Sequence, residues 1–296
     1  MKDALIISVL SVVPKKPAAR LMGALTRLRL ARPLHRLLLR WYVRKYKVNL
    51  DDCVGGIDDY ESLGQFFVRP LRPGVRPVDP DPNVLVSPVD ARVYTVGPIS
   101  GGTFEQSPGL KSSVAELLGL TDVGGAGTCP IDPQRYEGGS YAVLYLSPMD
   151  YHRVHTPEAC RVVGYRYLPG NLWPVFPAAT RKVQGVFSRN ERLVFALDTQ
   201  AADRPGFGTV AYAMIGAFGV GRMETVVAPL TTNTGGALED VVLSPAPHLE
   251  RAAELGRFCM GSTVILLAEP GRVNWTIRPG DVVRLGRPIG RVPAST

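Results

Sequence analysis

Beyond about residue 60 the chain is cut repeatedly by proline and glycine, and this punctuation limits what it can fold into. There are 31 glycines and 26 prolines among 296 residues. Proline removes a backbone donor and glycine loosens the chain, so long helices are disfavoured in such a stretch and short strands joined by turns are favoured. Apolar runs between the breaks predict strands near residues 84–86, 92–96, 141–146, 161–167, 193–197, 210–215, 264–267 and 282–285. Short helices are predicted over 113–118 and 247–255.

The first fifty residues differ. Leu21, Ala24, Leu25 and Leu28 follow helical spacing, and so do Leu34, Leu37, Leu38 and Trp41 after Pro33, a residue that suits a first helical turn. Twelve of the 34 bases and only one acid lie in residues 1–50, a net charge of +11, while the remainder carries −3. Arg36, Arg40 and Arg44 form a basic stripe beside the apolar one, and Trp41 and Tyr42 are the amphipathic rings typical of a bilayer interface. An amphipathic basic helix of this kind lies in the plane of a membrane. Nucleic acid is not the expected partner, since no helix-turn-helix or zinc pattern accompanies the charge. No run of about twenty apolar residues predicts a transmembrane helix, and no clean signal peptide stands at the N-terminus. The expected class is α+β: amphipathic N-terminal helices over 1–50, then a strand-rich domain over 51–296. The segment after Ser262 is expected to contribute strands to the same core.

Chemistry-bearing residues are few. Cys53, Cys129, Cys160 and Cys259 are far apart, with no metal-binding spacing, and read as reduced thiols. His152 and His155 sit together after Ser147-Pro148, in a segment read as a loop. A metal site needs more ligands nearby, Asp150 alone is thin support, and none is expected. Asp90 directly precedes a predicted strand. Asp, His and a hydroxyl together are the general recipe for activating a weak nucleophile. Ser262 supplies a hydroxyl in the sequence Gly-Ser-Thr before an apolar strand, but Val264 rules out a G-x-S-x-G elbow. Gly261 leaves the carbonyl beside that hydroxyl sterically open. The glycines Gly216, Gly219 and Gly221 do not match a dinucleotide fingerprint and read as a closely packed strand.

Together these pieces resemble the phosphatidylserine decarboxylase family over nearly the full length. The resemblance is carried by FFVRPLR and VRPVDPDPNVLVSPVD within 66–90, YLSPMDYHRVHTP at 145–157, LPGNLWPV at 168–175, FSRNERL at 187–193, IGAFGVGRMET at 215–225 and ELGRFCMGSTVILL at 254–267. It implies that Ser262 attacks the carbonyl of Gly261, cutting the chain into 1–261 and 262–296 and leaving a pyruvoyl cofactor at 262. It implies His155 as the base for cutting, Asp90 as the carboxylate that orients it, and His152 as the residue of the decarboxylation step. A pyruvoyl carbonyl forms a Schiff base with the substrate amine and accepts the electrons left by CO₂. The implied reaction converts phosphatidylserine to phosphatidylethanolamine. The implied partners are a phospholipid surface bound through residues 1–50, at the cytoplasmic face of the inner membrane, and the two cleavage products held together. Oligomeric state is left open, a homodimer included. Two other readings use the same residues: a lipid-acting serine hydrolase with Asp90, His155 and Ser262 as a lasting triad, and a non-catalytic lipid-binding protein.

Overall fold

The computed structural model describes residues 14–122, 128–200, 206–218, 222–259 and 262–293. Two helices come first, α1 (Lys15–Thr26) and α2 (Arg32–Tyr46), with Pro33 in the first turn of α2. Short helices follow: α3 (Leu63–Phe67), α4 (Val114–Leu118), α5 (Pro177–Thr180) and α6 (Val186–Arg189). The body is built on strands: β1 (Val84–Val86), β2 (Ala91–Pro98), β3 (Thr103–Ser107), β4 (Leu110–Ser113), β5 (Ser140–Leu146), β6 (Arg153–His155), β7 (Cys160–Leu168), β8 (Arg192–Asp198) and β9 (Thr209–Ile215). They continue with β10 (Met223–Thr225), β11 (Glu239–Val242), β12 (His248–Leu249), β13 (Glu254–Phe258), β14 (Ser262–Ala268), β15 (Asn274–Trp275), β16 (Val282–Val283) and β17 (Pro288–Arg291). The class is α+β.

The main sheet runs β11–β7–β8–β9–β14–β5–β2–β16, with β12 also on β7. Its pairings are antiparallel. Every residue of β14 is buried, which explains why its sequence reads as a continuous apolar run rather than an alternating one. β14 pairs with β5 from Ser262↔Leu146 to Ala268↔Ser140, and with β9 from Thr263↔Ile215 to Leu267↔Ala211. Beyond β14 the chain adds β16 to β2, while β17 pairs with β1 and β15. The C-terminal segment is therefore woven through the body, with its first strand innermost. A second small sheet, β10–β13–β6, joins the strand before Ser262 to the histidine segment.

The helices face two ways. His35, Leu39 and Tyr42 of α2 are buried, and Leu39 and Tyr42 pack with Val48, Tyr60, Phe66 and Phe67 as a separate apolar cluster. On the outside, Leu21, Leu25, Leu28, Leu34, Leu37 and Trp41 are half or more exposed. Among the described residues, no helix is long and apolar enough to cross a membrane.

Three expectations are corrected. Residues 247–255 are not a helix. His248 and Leu249 pair with Arg161 and Cys160, the chain turns with Ala252 at a φ of 60°, and Glu254 starts β13. The strand expected over 282–285 stops at Val283 because the Leu285 amide turns to the Asp90 carboxylate at 2.9 Å. The strand expected through the glycines at 216–221 ends at Ile215, where the Gly216 amide leaves the ladder for the Glu191 carbonyl at 2.8 Å. Gly219 and Gly221 lie outside the described residues.

Candidate active site

Ser262 is the first residue of the innermost strand. It is fully buried, and its Oγ has no hydrogen-bond partner among the described residues. A buried hydroxyl without a partner is costly and uncommon, and such groups concentrate where chemistry needs them. Gly261, the other half of the expected cleavage site, lies outside the described residues. The register brings the ends of β5 and β9 alongside: Leu146 faces Ser262, and Tyr145 and Ile215 flank Thr263. A cavity of about 210 Å³ opens at these ends, lined by Tyr145, Pro148, Ala217, Phe67, Tyr42 and Tyr46. The last two belong to α2, and the Tyr42 hydroxyl donates to the Pro148 carbonyl at 2.8 Å. Helix α2 is thus a wall of the cavity at the ends of these strands.

After β5 the chain makes a tight turn. The Asp150 carboxylate accepts from the Ser147 amide at 2.9 Å and from its hydroxyl at 2.6 Å. Burial raises the Asp150 pKa, opposed by the two bonds from Ser147. The Asp150 carbonyl then fixes His152, whose Nδ1 lies 2.9 Å from it. A carbonyl can only accept, so Nδ1 carries the proton and Nε2 presents a lone pair. That Nε2 is buried and has no partner among the described residues. Burial pushes the imidazole down to about 3, with the Arg69 guanidinium adding to the effect and the Asp150 carbonyl opposing it. His152 is therefore a neutral base with a free lone pair. Its ring lies against Phe67, with centroids 4.0 Å apart. The Phe258 amide donates to the His152 carbonyl at 2.9 Å, and Phe258 precedes Ser262 by four residues, a reach of at most about 14 Å.

His155 ends β6, not a loop as expected. Its Nδ1 lies 2.8 Å from the Ala252 carbonyl, so Nε2 again holds the lone pair, here 3.2 Å from the Tyr151 hydroxyl, which donates to it. Burial lowers the His155 pKa, and the Ala252 carbonyl, Glu254 and Asp90 oppose the shift. Asp90 is buried directly before β2, as the sequence places it. Its carboxylate takes 3.1 and 2.7 Å bonds from Arg76, a 3.1 Å bond from Arg284 and the Leu285 amide at 2.9 Å. Among the described residues no hydrogen bond joins Asp90 to His155: the Ala252 carbonyl holds the position expected for the carboxylate. Asp90 is linked instead to Asp150 through Arg284, 3.6 Å from the latter. The four predicted residues thus gather at the Ser262 end of the sheet without forming a hydrogen-bonded triad. Among the described residues no three His, Cys, Asp or Glu side chains gather as a metal site, and all four cysteines are free.

Sequence reasoning missed Arg69, Arg76, Tyr151 and Arg284. Arg69 is buried, with Nη2 on the Met149 and Asp150 carbonyls at 3.0 and 3.2 Å. The signal for it was an arginine directly after Phe66-Phe67-Val68, where a charge is unexpected. Arg284 gave no signal, because its partner Asp90 is 194 residues away.

Comparison with known proteins places the chain in a family. Residues 63–291 match the model of the phosphatidylserine decarboxylase family. The phosphatidylserine decarboxylase proenzyme of Anaeromyxobacter sp. is 42% identical, over 98% of this chain and 99% of that protein. Proenzymes of the same name from Myxococcus xanthus and Brevibacillus brevis are 39% and 34% identical, each over 98% of this chain and 99% and 98% of their own lengths. The chain belongs to the phosphatidylserine decarboxylase family.

Proposed function

We propose that the chain is a proenzyme that cuts itself before Ser262 and then decarboxylates phosphatidylserine to phosphatidylethanolamine at a membrane surface. The observation that carries this reading is the fully buried Ser262 hydroxyl, without a partner among the described residues, at the start of the central strand. Ser262 Oγ attacks the carbonyl carbon of Gly261 and the amide C–N bond breaks, giving an ester and a free amine at 262. His155, with its Nε2 lone pair, takes the hydroxyl proton; Asp90, through its charge rather than a direct bond, favours the imidazolium that results. Loss of the 262 Cα proton and of the Cβ–O bond then releases the Gly261 carboxylate, and water replaces the nitrogen as ammonia. Pairing of β14 on both sides keeps the fragment beginning at 262 bound to the fragment ending at 261.

The residues around 262 fit a pyruvoyl group, since the position is buried and His152 Nε2 has no partner among the described residues. When formed, this group supplies the carbonyl that condenses with the substrate amine and takes up the electron pair left by CO₂. His152 is held neutral in the free chain; once the substrate carboxylate lies beside it, that negative charge favours the imidazolium, which delivers a proton to Cα after CO₂ leaves. The cavity under Tyr42 and Tyr46 gives the lipid an apolar wall. The outward leucines of α1 and α2, with Trp41 and the arginines beside them, hold the protein peripherally on an anionic surface, at the cytoplasmic face of the inner membrane. Each base near such a surface contributes about 1 kcal/mol.

The test is CO₂ release from phosphatidylserine with stoichiometric phosphatidylethanolamine, abolished by prior borohydride reduction of the ketone. Activity that survives complete reduction contradicts the pyruvoyl reading.

A further inference from the structure

The edge formed by β10 and β13 carries charges that the chemistry above does not use. Arg222, Glu224, Arg257 and Cys259 line a cavity of about 350 Å³, closed on its other side by Arg27, the residue that caps α1, and by Gln65 of α3. Two guanidiniums meet one carboxylate there, and a third, Arg27, faces them across the cavity. Arg257 holds Glu224 through Nε and Nη2, both at 2.7 Å, and Arg222 approaches the other oxygen of Glu224 at 3.4 Å. One carboxylate cannot balance three cations. Arg222 Nε is buried and has no partner among the described residues, and Arg27 makes no ion pair among them. Surplus guanidinium charge lining a walled cavity favours an acceptor anion.

The position identifies the anion. The Cys259 amide bonds to the Arg222 carbonyl at 2.9 Å, so the cavity adjoins the segment that leads into Ser262. Its rim is α1, whose Leu21 and Leu25, with Leu28 just beyond, are exposed. A group that sits against an apolar helix rim and beside a lipid-modifying centre is at the depth of lipid phosphates, and the guanidinium fork matches phosphate oxygens. We propose that Arg27, Arg222 and Arg257 form a subsite for the phosphodiester of an anionic glycerophospholipid. The inference rests on the decarboxylase reading. The phosphodiester comes either from the substrate itself or from a neighbouring anionic lipid.

The experiment uses the full chain carrying Arg222→Gln, with Arg257→Gln as a second variant and Arg222→Lys to separate charge from fold. Self-cleavage, read on a denaturing gel, reports that each variant folds. Kinetics on monomeric short-chain phosphatidylserine and binding to vesicles of phosphatidylcholine with or without phosphatidylglycerol are then compared. If the substrate's phosphate occupies the site, Arg222→Gln raises KM about tenfold, with a far smaller change in kcat, as expected for the loss of one charge-assisted bond. If a neighbouring lipid occupies it, kinetics on monomeric substrate hold and binding to phosphatidylglycerol vesicles falls about fivefold or more. Arg222→Lys recovers part of either loss. Cut variants that match the parent in both assays overturn the subsite. A parent chain that stays uncut and releases no CO₂ overturns the decarboxylase reading instead, and the vesicle assay still decides whether the cavity takes lipid phosphate.

Discussion

Arg69 and His152 donate to one acceptor, the backbone carbonyl of Asp150, at 3.2 and 2.9 Å. This shared carbonyl fixes the His152 tautomer and sets a buried positive charge beside a base held neutral in the free chain. Arg69 lowers the His152 pKa, so Arg69→Gln moves that pKa upward. The acid limb of kcat/KM for the cut enzyme then shifts to higher pH, while Arg69→Lys shifts it less. A profile that falls in height without moving along the pH axis limits Arg69 to a packing role.

The same burial ties stability to pH. His152 titrates near 6.5 when free and about 3 in the fold, so below pH 6.5 the unfolded chain binds a proton that the folded one refuses. Stability is greatest above 6.5 and is lost as pH falls toward 3. His155 shifts in the same direction. Thermal unfolding of an uncut Ser262→Ala chain at stepped pH values should show this decline, and a His152→Gln change in that background should flatten it.

The histidines are predicted to separate the two halves of the chemistry. His155→Ala leaves the chain uncut. His152→Ala cuts but loses most CO₂ release, by about a hundredfold or more as general acid–base contributions go. Tyr151→Phe removes the donor to His155 Nε2 and so raises that imidazole's basicity; it still cuts, with its pH dependence displaced upward. Gel analysis after timed incubation at several pH values reads the cutting of all three, and a CO₂-release assay reads the loss in His152→Ala.

Arg76 covers a fully buried carboxylate, with side-chain exposures of 15% and 1% for Arg76 and Asp90. Arg76→Gln strips Asp90 of its best partner and should cost about 3 kcal/mol, the low end for breaking a buried pair, since Arg284 and the Leu285 amide still hold the carboxylate. Adding Asp90→Asn should recover much of it. Urea unfolding of the uncut chain measures the cycle, and additive losses would contradict a direct pairing.

Much of the fold could be read from the sequence because burial writes itself into composition. The run Val264 to Leu267 signalled an apolar strand, and the three- and four-residue spacing of leucines signalled α1 and α2. Residues 247–255 misled because Ala252, Ala253, Glu254 and Leu255 have helical preference, whereas pairing of His248 and Leu249 with β7 and the positive φ of Ala252 decided the outcome. The site followed the same pattern. Asp90, His152, His155 and Ser262 were visible as residue types in telling places. What orients them was not: the Ala252 carbonyl beside His155 depends on that misread turn, and the Arg284 partner of Asp90 depends on long-range pairing of β16 with β2. Backbone carbonyls and distant arginines leave no local pattern to read.

The account's central claim is that the Ser262 hydroxyl breaks the backbone before it. Intact mass of the purified full chain tests this most directly. The account predicts two species, one ending at residue 261 and one beginning at 262 with a ketone in place of its amine, and a single uncut species for Ser262→Ala. An unbroken parent chain that releases CO₂ from phosphatidylserine, with an ordinary serine at 262, would contradict it.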